Sequence, residues 1–282
     1  MTVSLLGAKQ LRELLEASGV RPSKSLGQNF VIDPNTIRKM VNIAGIGPGD
    51  TVLEIGAGAG SLTLGLAAVG ATVIAVEVDQ RLLPVIRAVT ADIPTTTVVH
   101  ADALTFDYAS ANATRLVANL PYNIATQVVL RALEDGPQLT RLTVMTQREV
   151  GERLAAEPGS KIYGLTTVLL AYFGSARVAA RVSRQAFYPV PNVDSVIVSV
   201  DRHLDPPAVD RATLFRVARA AFAQRRKTLR RCLVPVAGSL EAAATALATA
   251  GIPPDARAED VPFERFVALA SYFGEEEAKQ RK

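Results

Sequence analysis

The stretch that decides the fold is TVLEIGAGAGSLTLGLAAVGATVIAVE, residues 51–77. Between Ile55 and Val76 it carries no charge, which is long enough to cross a membrane. Glycines at 56, 58, 60, 65 and 70, with Ser61, Thr63 and Thr72, break that run, and Glu54 and Glu77 close it at either end. The segment reads as a buried strand, a glycine turn, a helix and a second buried strand, the pattern of a parallel sheet covered on both faces. No membrane span is expected.

Outward from this segment the alternation continues. Residues 96–100 (TTVVH), 115–120 (RLVANL) and 142–146 (LTVMT) read as strands. Helical stretches fall near 61–69, 79–90, 124–134 and 148–156. Strands separated by helical crossovers imply a parallel sheet with right-handed connections. Residues 196–200 (VIVSV) read as a late strand, with 176–183 as a partner before it. Upstream, residues 1–20 read as a helix ended by Gly19, and Asp33-Pro34 as the N-cap and first position of a helix running to about Ala44. Residues 201–210 (DRHLDPPAVD) read as a linker. Beyond it Leu214, Val217, Ala218, Ala221 and Phe222 share one helical face, and further helices fit 239–250 and 262–273. The terminal EEEAKQRK reads as a frayed tail. The expected division is therefore an α/β domain over 1–203, with an N-terminal helical extension, and a small all-α domain over 204–282.

Composition bounds the class of function. The 282 residues are 49% hydrophobic and 21% charged, which supplies a core and excludes a disordered chain. A net charge of +4 and a pI near 9.3 permit a nucleic-acid partner without requiring one. The single cysteine, Cys232, excludes an internal disulfide framework and suits a cytoplasmic protein. Two histidines, His100 and His203, do not make a metal site or a Ser-His-Asp triad. Lys9, Arg12, Glu13 and Glu16 mark an amphipathic helix at the N-terminus where a signal peptide would be apolar.

The chemistry begins at Glu54-Ile-Gly56-Ala-Gly58-Ala-Gly60. Glycines after a strand let backbone approach a ligand, and Glu77 at the end of the next strand can accept both hydrogen bonds of a ribose diol. These features imply a nucleoside cofactor and leave its identity open, because a dinucleotide domain uses the same logic. Asp102, in HADAL, is placed to accept from an adenine amino group, or simply to cap a helix. Asn119-Leu120-Pro121-Tyr122 follows the next strand.

That tetrapeptide is similar to the one used by methyltransferases acting on planar exocyclic amines. Taken with SLGQNFVID (25–33), VLEIGAGAGSLT (52–63), VANLPYNIAT (117–126), SKIYGLTTV (160–168), AFYPVPNVDSVIV (186–198) and FAQRRKTLR (222–230), the chain resembles the small-subunit ribosomal RNA adenine N6-dimethyltransferase family. The matches run from about Ser25 to Tyr272. The resemblance implies a class I S-adenosylmethionine-dependent methyltransferase, Rossmann-like, with a mostly parallel seven-stranded sheet and a late hairpin. It implies dimethylation of two adjacent adenosines near the 3′ end of 16S rRNA in an assembling small ribosomal subunit, by a monomer that uses S-adenosylmethionine and no metal. Asn29, Val31, Gly56, Gly58, Glu77, Asp102, Ala103 and Asn119 would hold the cofactor. Asn119 and the Leu120 carbonyl would accept the two N–H bonds of the target amine, Pro121 would stiffen the loop, and Tyr122 and Phe187 would cover the two faces of an extruded base. The alternative for both rings is plain core packing.

Arg225, Arg226, Lys227, Arg230 and Arg231, with Arg21 and Lys24, form basic clusters suited to phosphate contacts. Three rival readings are a 23S rRNA adenine methyltransferase conferring antibiotic resistance, a nicotinamide-dependent oxidoreductase, and a non-catalytic RNA-binding assembly factor.

Overall fold

The structure is a computed structural model that describes residues 3–23, 26–224 and 226–280. By internal contacts the chain forms two compact units, one of residues 1–152 and 176–202, the other of 153–175 and 203–282.

The first unit opens with α1 (Ala8–Ala17), whose Leu11 and Leu15 are fully buried. A two-residue strand β1 (Phe30–Val31) leads into α2 (Pro34–Ala44). Local chemistry sets both ends of α2. The Asp33 carboxylate accepts from the N–H groups of Asn35 and Thr36, Pro34 occupies the first helical turn, and Gly45 closes the helix in the left-handed region.

Then come β2 (Thr51–Ile55), α3 (Ser61–Ala68), β3 (Thr72–Glu77), α4 (Leu83–Val89), β4 (Thr96–His100), β5 (Arg115–Asn119), α5 (Ala125–Asp135), β6 (Arg141–Gln147) and α6 (Arg148–Leu154). After the excursion into the second unit, which holds α7 (Leu165–Phe173), the chain returns through β7 (Gly174–Val182), β8 (Phe187–Tyr188) and β9 (Ser195–Arg202). The sheet order is β4-β3-β2-β5-β6-β9-β7. The pairs from β4 to β6 are parallel, and β9 runs antiparallel to β6. Chain order reverses between β2 and β5, the switch point where open α/β sheets bind ligands at strand C-termini. The fold class is as the sequence implied.

The second unit contains α7, α8 (Arg211–Ala221), α9 (Leu229–Cys232), α10 (Val234–Ala237), α11 (Leu240–Thr249) and α12 (Phe263–Gln280). Phe222 stacks on Phe266, and Phe215 packs edge-on against Tyr172 and Phe173. Those last contacts show why residues 153–175 lie with the C-terminal helices, although the sequence assigned everything to 203 to the sheet domain: α7 is apolar on nearly every side, with Thr167, Val168, Leu169, Leu170 and Phe173 all buried. A second difference is α12, which continues to Gln280 where a frayed tail was expected. Arg216 pairs with Glu277 and Lys279 with Glu276, so the charged end of α12 is tied down in part to α8.

Two further strands escaped the sequence. β1 and β8 form a separate antiparallel ribbon, with Phe30 opposite Tyr188 and Val31 opposite Phe187. Among the described residues no helix is long and apolar enough to cross a membrane.

Candidate active site

A cavity opens over the C-terminal ends of β2, β3, β4 and β5. The glycine turn forms its floor. Gly56 and Gly58 have φ of 74° and 59°, where a side chain would be strained. A Cβ on Gly58 would lie 3.2 Å from the Phe30 ring, so this turn has room for backbone alone.

Glu77 ends β3 and is 5% exposed. Its carboxylate accepts from three backbone N–H groups: Gly58 at 2.6 Å, Val78 at 3.0 Å and Asp79 at 2.9 Å. Burial pushes its pKa up, and these donors oppose the rise. Carboxylate oxygens offer about four acceptor positions, so room is left for a ligand hydroxyl. Val78 beside it is exposed, and with Leu82 and Ala103 it adds apolar lining on which a flat ring can rest. Asp102 follows β4 in the lining; its Oδ1 accepts the Leu104 N–H at 2.8 Å and closes a turn, and no helix starts there, so the helix-cap alternative does not hold.

Asn119 ends β5 and also lines the cavity. Its Nδ2 donates to the Asn29 carbonyl at 2.9 Å. That bond fixes the amide, and Oδ1 is left without a hydrogen bond among the described residues. The Leu120 N–H donates to the Met145 carbonyl at 3.0 Å, which anchors the Asn-Leu-Pro-Tyr loop to β6. Leu120, Pro121 and Tyr122 all line the cavity. The Tyr122 hydroxyl lies 3.1 Å from Ser195 Oγ, at the buried start of β9.

The segment 26–30 crosses the opposite side, and all five of its residues line the cavity. Asn29 is therefore where the sequence put it. Val31 is not: it is 4% exposed and belongs to the core under the sheet, while its neighbour Phe30 faces the lining. Phe187 also departs from expectation. It is fully buried in that same core beside Val31, and a ring with no exposed face cannot stack on a base in this arrangement. Leu26, Gly27, Gln28, Phe30, Val78, Leu82 and Ile124 were not singled out from the sequence. An exposed Val78 directly after a strand-ending acid was the one signal available.

In the second unit Arg226, Lys227, Arg230 and Arg231 line one open concavity with Thr228, Pro254 and Asp255. Arg225 and Lys24 lie outside the described residues. Arg21 is exposed in the first unit.

A parallel sheet with a glycine turn after its first strand, a buried acid ending the second and an Asn-Leu-Pro-Tyr loop after the fourth defines a class I S-adenosylmethionine-dependent methyltransferase. More narrowly, the chain belongs to the ribosomal RNA adenine dimethylase family, whose model matches residues 20–275. It is 49% identical over 274 residues to a ribosomal RNA small subunit methyltransferase A from Leifsonia xyli subsp. xyli, covering 95% of this chain and 98% of that protein. A protein of the same name from Rhodococcus opacus is 48% identical over 95% of this chain and 94% of its own length. Among solved structures, a dimethyladenosine transferase from Plasmodium falciparum superposes with a TM-score of 0.79 at 22% identity, over 88% of this chain and 98% of that one. The 23S rRNA methyltransferase ErmE gives 0.69 at 25% identity, over 87% and 100%. The activity is S-adenosylmethionine-dependent dimethylation of adenine in ribosomal RNA.

Proposed function

We propose that this enzyme dimethylates N6 of two adjacent adenosines near the 3′ end of 16S rRNA, within an assembling small ribosomal subunit, as a cytoplasmic monomer without a metal. QRRKTLR (224–230) and VPNVDS (190–195), together with the small-subunit names of the relatives, favour this target over 23S rRNA. The observation that carries the chemistry is Asn119, held by the Asn29 carbonyl with its acceptor oxygen unspent.

Bound S-adenosylmethionine supplies an electrophilic methyl group on a cationic sulfur. The lining fits it: Glu77 would take a ribose hydroxyl, Asp102 and the Ala103 backbone would meet the adenine edge, Gly56 and Gly58 would leave it room, and Asn29 would border it from the segment 26–30. The target base leaves its stack to enter, and Tyr122 packs on one face. Its amino nitrogen is a poor nucleophile because the lone pair is delocalised into the ring. In the first transfer Asn119 Oδ1 and the Leu120 carbonyl accept its two N–H bonds, and in the second one of them accepts the N–H that remains; each time they draw the nitrogen toward a pyramidal geometry and aim the lone pair at the methyl carbon. Pro121 fixes where the Leu120 carbonyl points. The new N–C bond forms as the C–S bond breaks, and the nitrogen gives its proton to water. No general base is required. Phe187 acts from the core, by bracing the β1–β8 ribbon. The basic concavity of the second unit contacts rRNA phosphates.

Labelled cofactor, unmethylated 30S particles and nucleotide mapping test the reading, with 50S particles and naked 23S rRNA as controls. The expected outcome is two dimethyladenosines in 16S rRNA and none in 23S. In Asn119→Ala, transfer falls at least about a thousandfold while particle binding persists. Unchanged transfer removes Asn119 from the mechanism.

A further inference from the structure

Asp79 lies two residues past Glu77 and does not line the cavity, yet it is 6% exposed and fully engaged. Its Oδ1 accepts from the Arg81 backbone N–H at 3.1 Å and Arg81 Nε at 2.9 Å. Its Oδ2 accepts from the Arg81 guanidinium at 2.7 Å and from Gln28 Nε2 at 2.8 Å. All four acceptor positions of a carboxylate are thus taken. Three of the donors are local; the fourth comes from 51 residues away, on the segment that crosses the cavity. The hydrogen bonds from Arg81, helped by Gln28, hold this carboxyl down near 2, so the acceptor is charged throughout the working range.

Gln28 is bound at its other end as well. Its Oε1 accepts from the Ser23 N–H at 2.8 Å, and its own N–H donates to the Ser23 carbonyl at 3.1 Å. The next residue, Asn29, presents the carbonyl that fixes the Asn119 amide, and Asn29 Nδ2 donates back to the Gly27 carbonyl at 3.1 Å. A continuous chain of contacts therefore runs from Asp79 through Gln28 and the Asn29 carbonyl to Asn119. It begins in the turn that holds Glu77, since Glu77 Oε1 accepts the Asp79 N–H.

We propose that Asp79 and Gln28 are positioning residues for methyl transfer: Asp79 anchors the segment 26–30 through Gln28, and the anchored segment holds the Asn119 amide with its oxygen toward the target amine. The inference rests on the role given above to Asn119. It deepens that role by linking the acid at the ribose end of the cavity to the asparagine at the methyl end. An amide released from the Asn29 carbonyl can turn about its side-chain torsions, and an Nδ2 facing the amine repels the N–H bonds that Oδ1 would accept.

Full-length Gln28→Ala, Asp79→Asn and the double variant test this, measured for kcat and for KM of S-adenosylmethionine and of 30S particles, alongside Tm. The expected result for Gln28→Ala is a tenfold or larger fall in kcat at saturating cofactor. Its particle KM stays unchanged and its Tm lies within a few degrees of wild type. Asp79→Asn keeps one acceptor oxygen and loses less. The double variant is no worse than Gln28→Ala, because the two residues act through one bond. Three results overturn the proposal: an unchanged kcat with a raised cofactor KM, which makes the segment a lid only; a lowered Tm with kcat intact; or additive losses. Asn119→Ala is the control. If it retains activity, the underlying reading fails; if it is inactive while Gln28→Ala turns over normally, this inference alone fails.

Discussion

Two buried glutamates flank the glycine turn; burial raises the pKa of both, and the protein gives them different partners. Glu54 on β2 is 1% exposed, accepts from Thr63 Oγ1 at 2.6 Å, and leaves Oε1 with no partner. Burial, offset in part by Thr63 and reinforced by the charge of Glu77, pushes its pKa to about 8. It is therefore neutral at pH 7. Glu77 on β3 is nearly as buried but receives three backbone N–H groups and opens on the cavity. Neither has an ion-pair partner among the described residues. Burial alone thus does not mark a binding acid. Backbone donors that replace water do, because they stabilise the charged form a ligand hydroxyl needs.

The largest expected effect lies on stability against pH. A carboxyl whose folded pKa stands above its unfolded value near 4.5 keeps protons that the unfolded chain releases. The stability it contributes is full below about pH 4.5 and is lost as pH rises through about 8. At about 1.4 kcal/mol for each pH unit, Glu54 sets a fall on the order of 5 kcal/mol across that window. Urea unfolding of the free enzyme at pH 5 and pH 8.5 should show it, and Glu54→Gln should flatten it. A wild-type curve with no fall would mean that Glu54 is ionised and the contrast with Glu77 false.

Next in size is Glu77→Ala. Losing the carboxyl acceptor for a ribose hydroxyl should raise the Kd for S-adenosylmethionine about a hundredfold, near 3 kcal/mol, by calorimetry. Glu54→Gln should change it less than threefold; equal losses from both would erase the distinction. The smallest effect is Thr63→Val, which removes the hydroxyl donor to Glu54. It should cost about 1 kcal/mol of stability and leave cofactor affinity alone. A variant as stable as wild type would show that this hydrogen bond contributes nothing net.

Much of this was legible in the chain, for local reasons. The caps of α2 are written in Asp33, Pro34 and Gly45, because they act on their own helix ends. The strands of the parallel sheet are continuous apolar runs, and the acids and glycines at their C-terminal ends fall on the cavity. Features set by remote partners were hidden. The β1–β8 ribbon is two residues on each side, too short for any periodicity. The apolar surface of α7 says that it is buried and not against what. The charged end of α12 is stabilised by an arginine on another helix.

The sequence by itself determined the alternating α/β order, the charge-free glycine segment bounded by two acids, and the Asn-Leu-Pro-Tyr loop; each is fixed by neighbours along the chain. Only the tertiary structure decided that Phe30 faces the cavity and Val31 the core, that Phe187 is sealed beneath the sheet, and that Gln28 meets Asp79. Adjacent residues of a strand point to opposite sides, so which one reaches the site depends on a register set by a strand far along the chain.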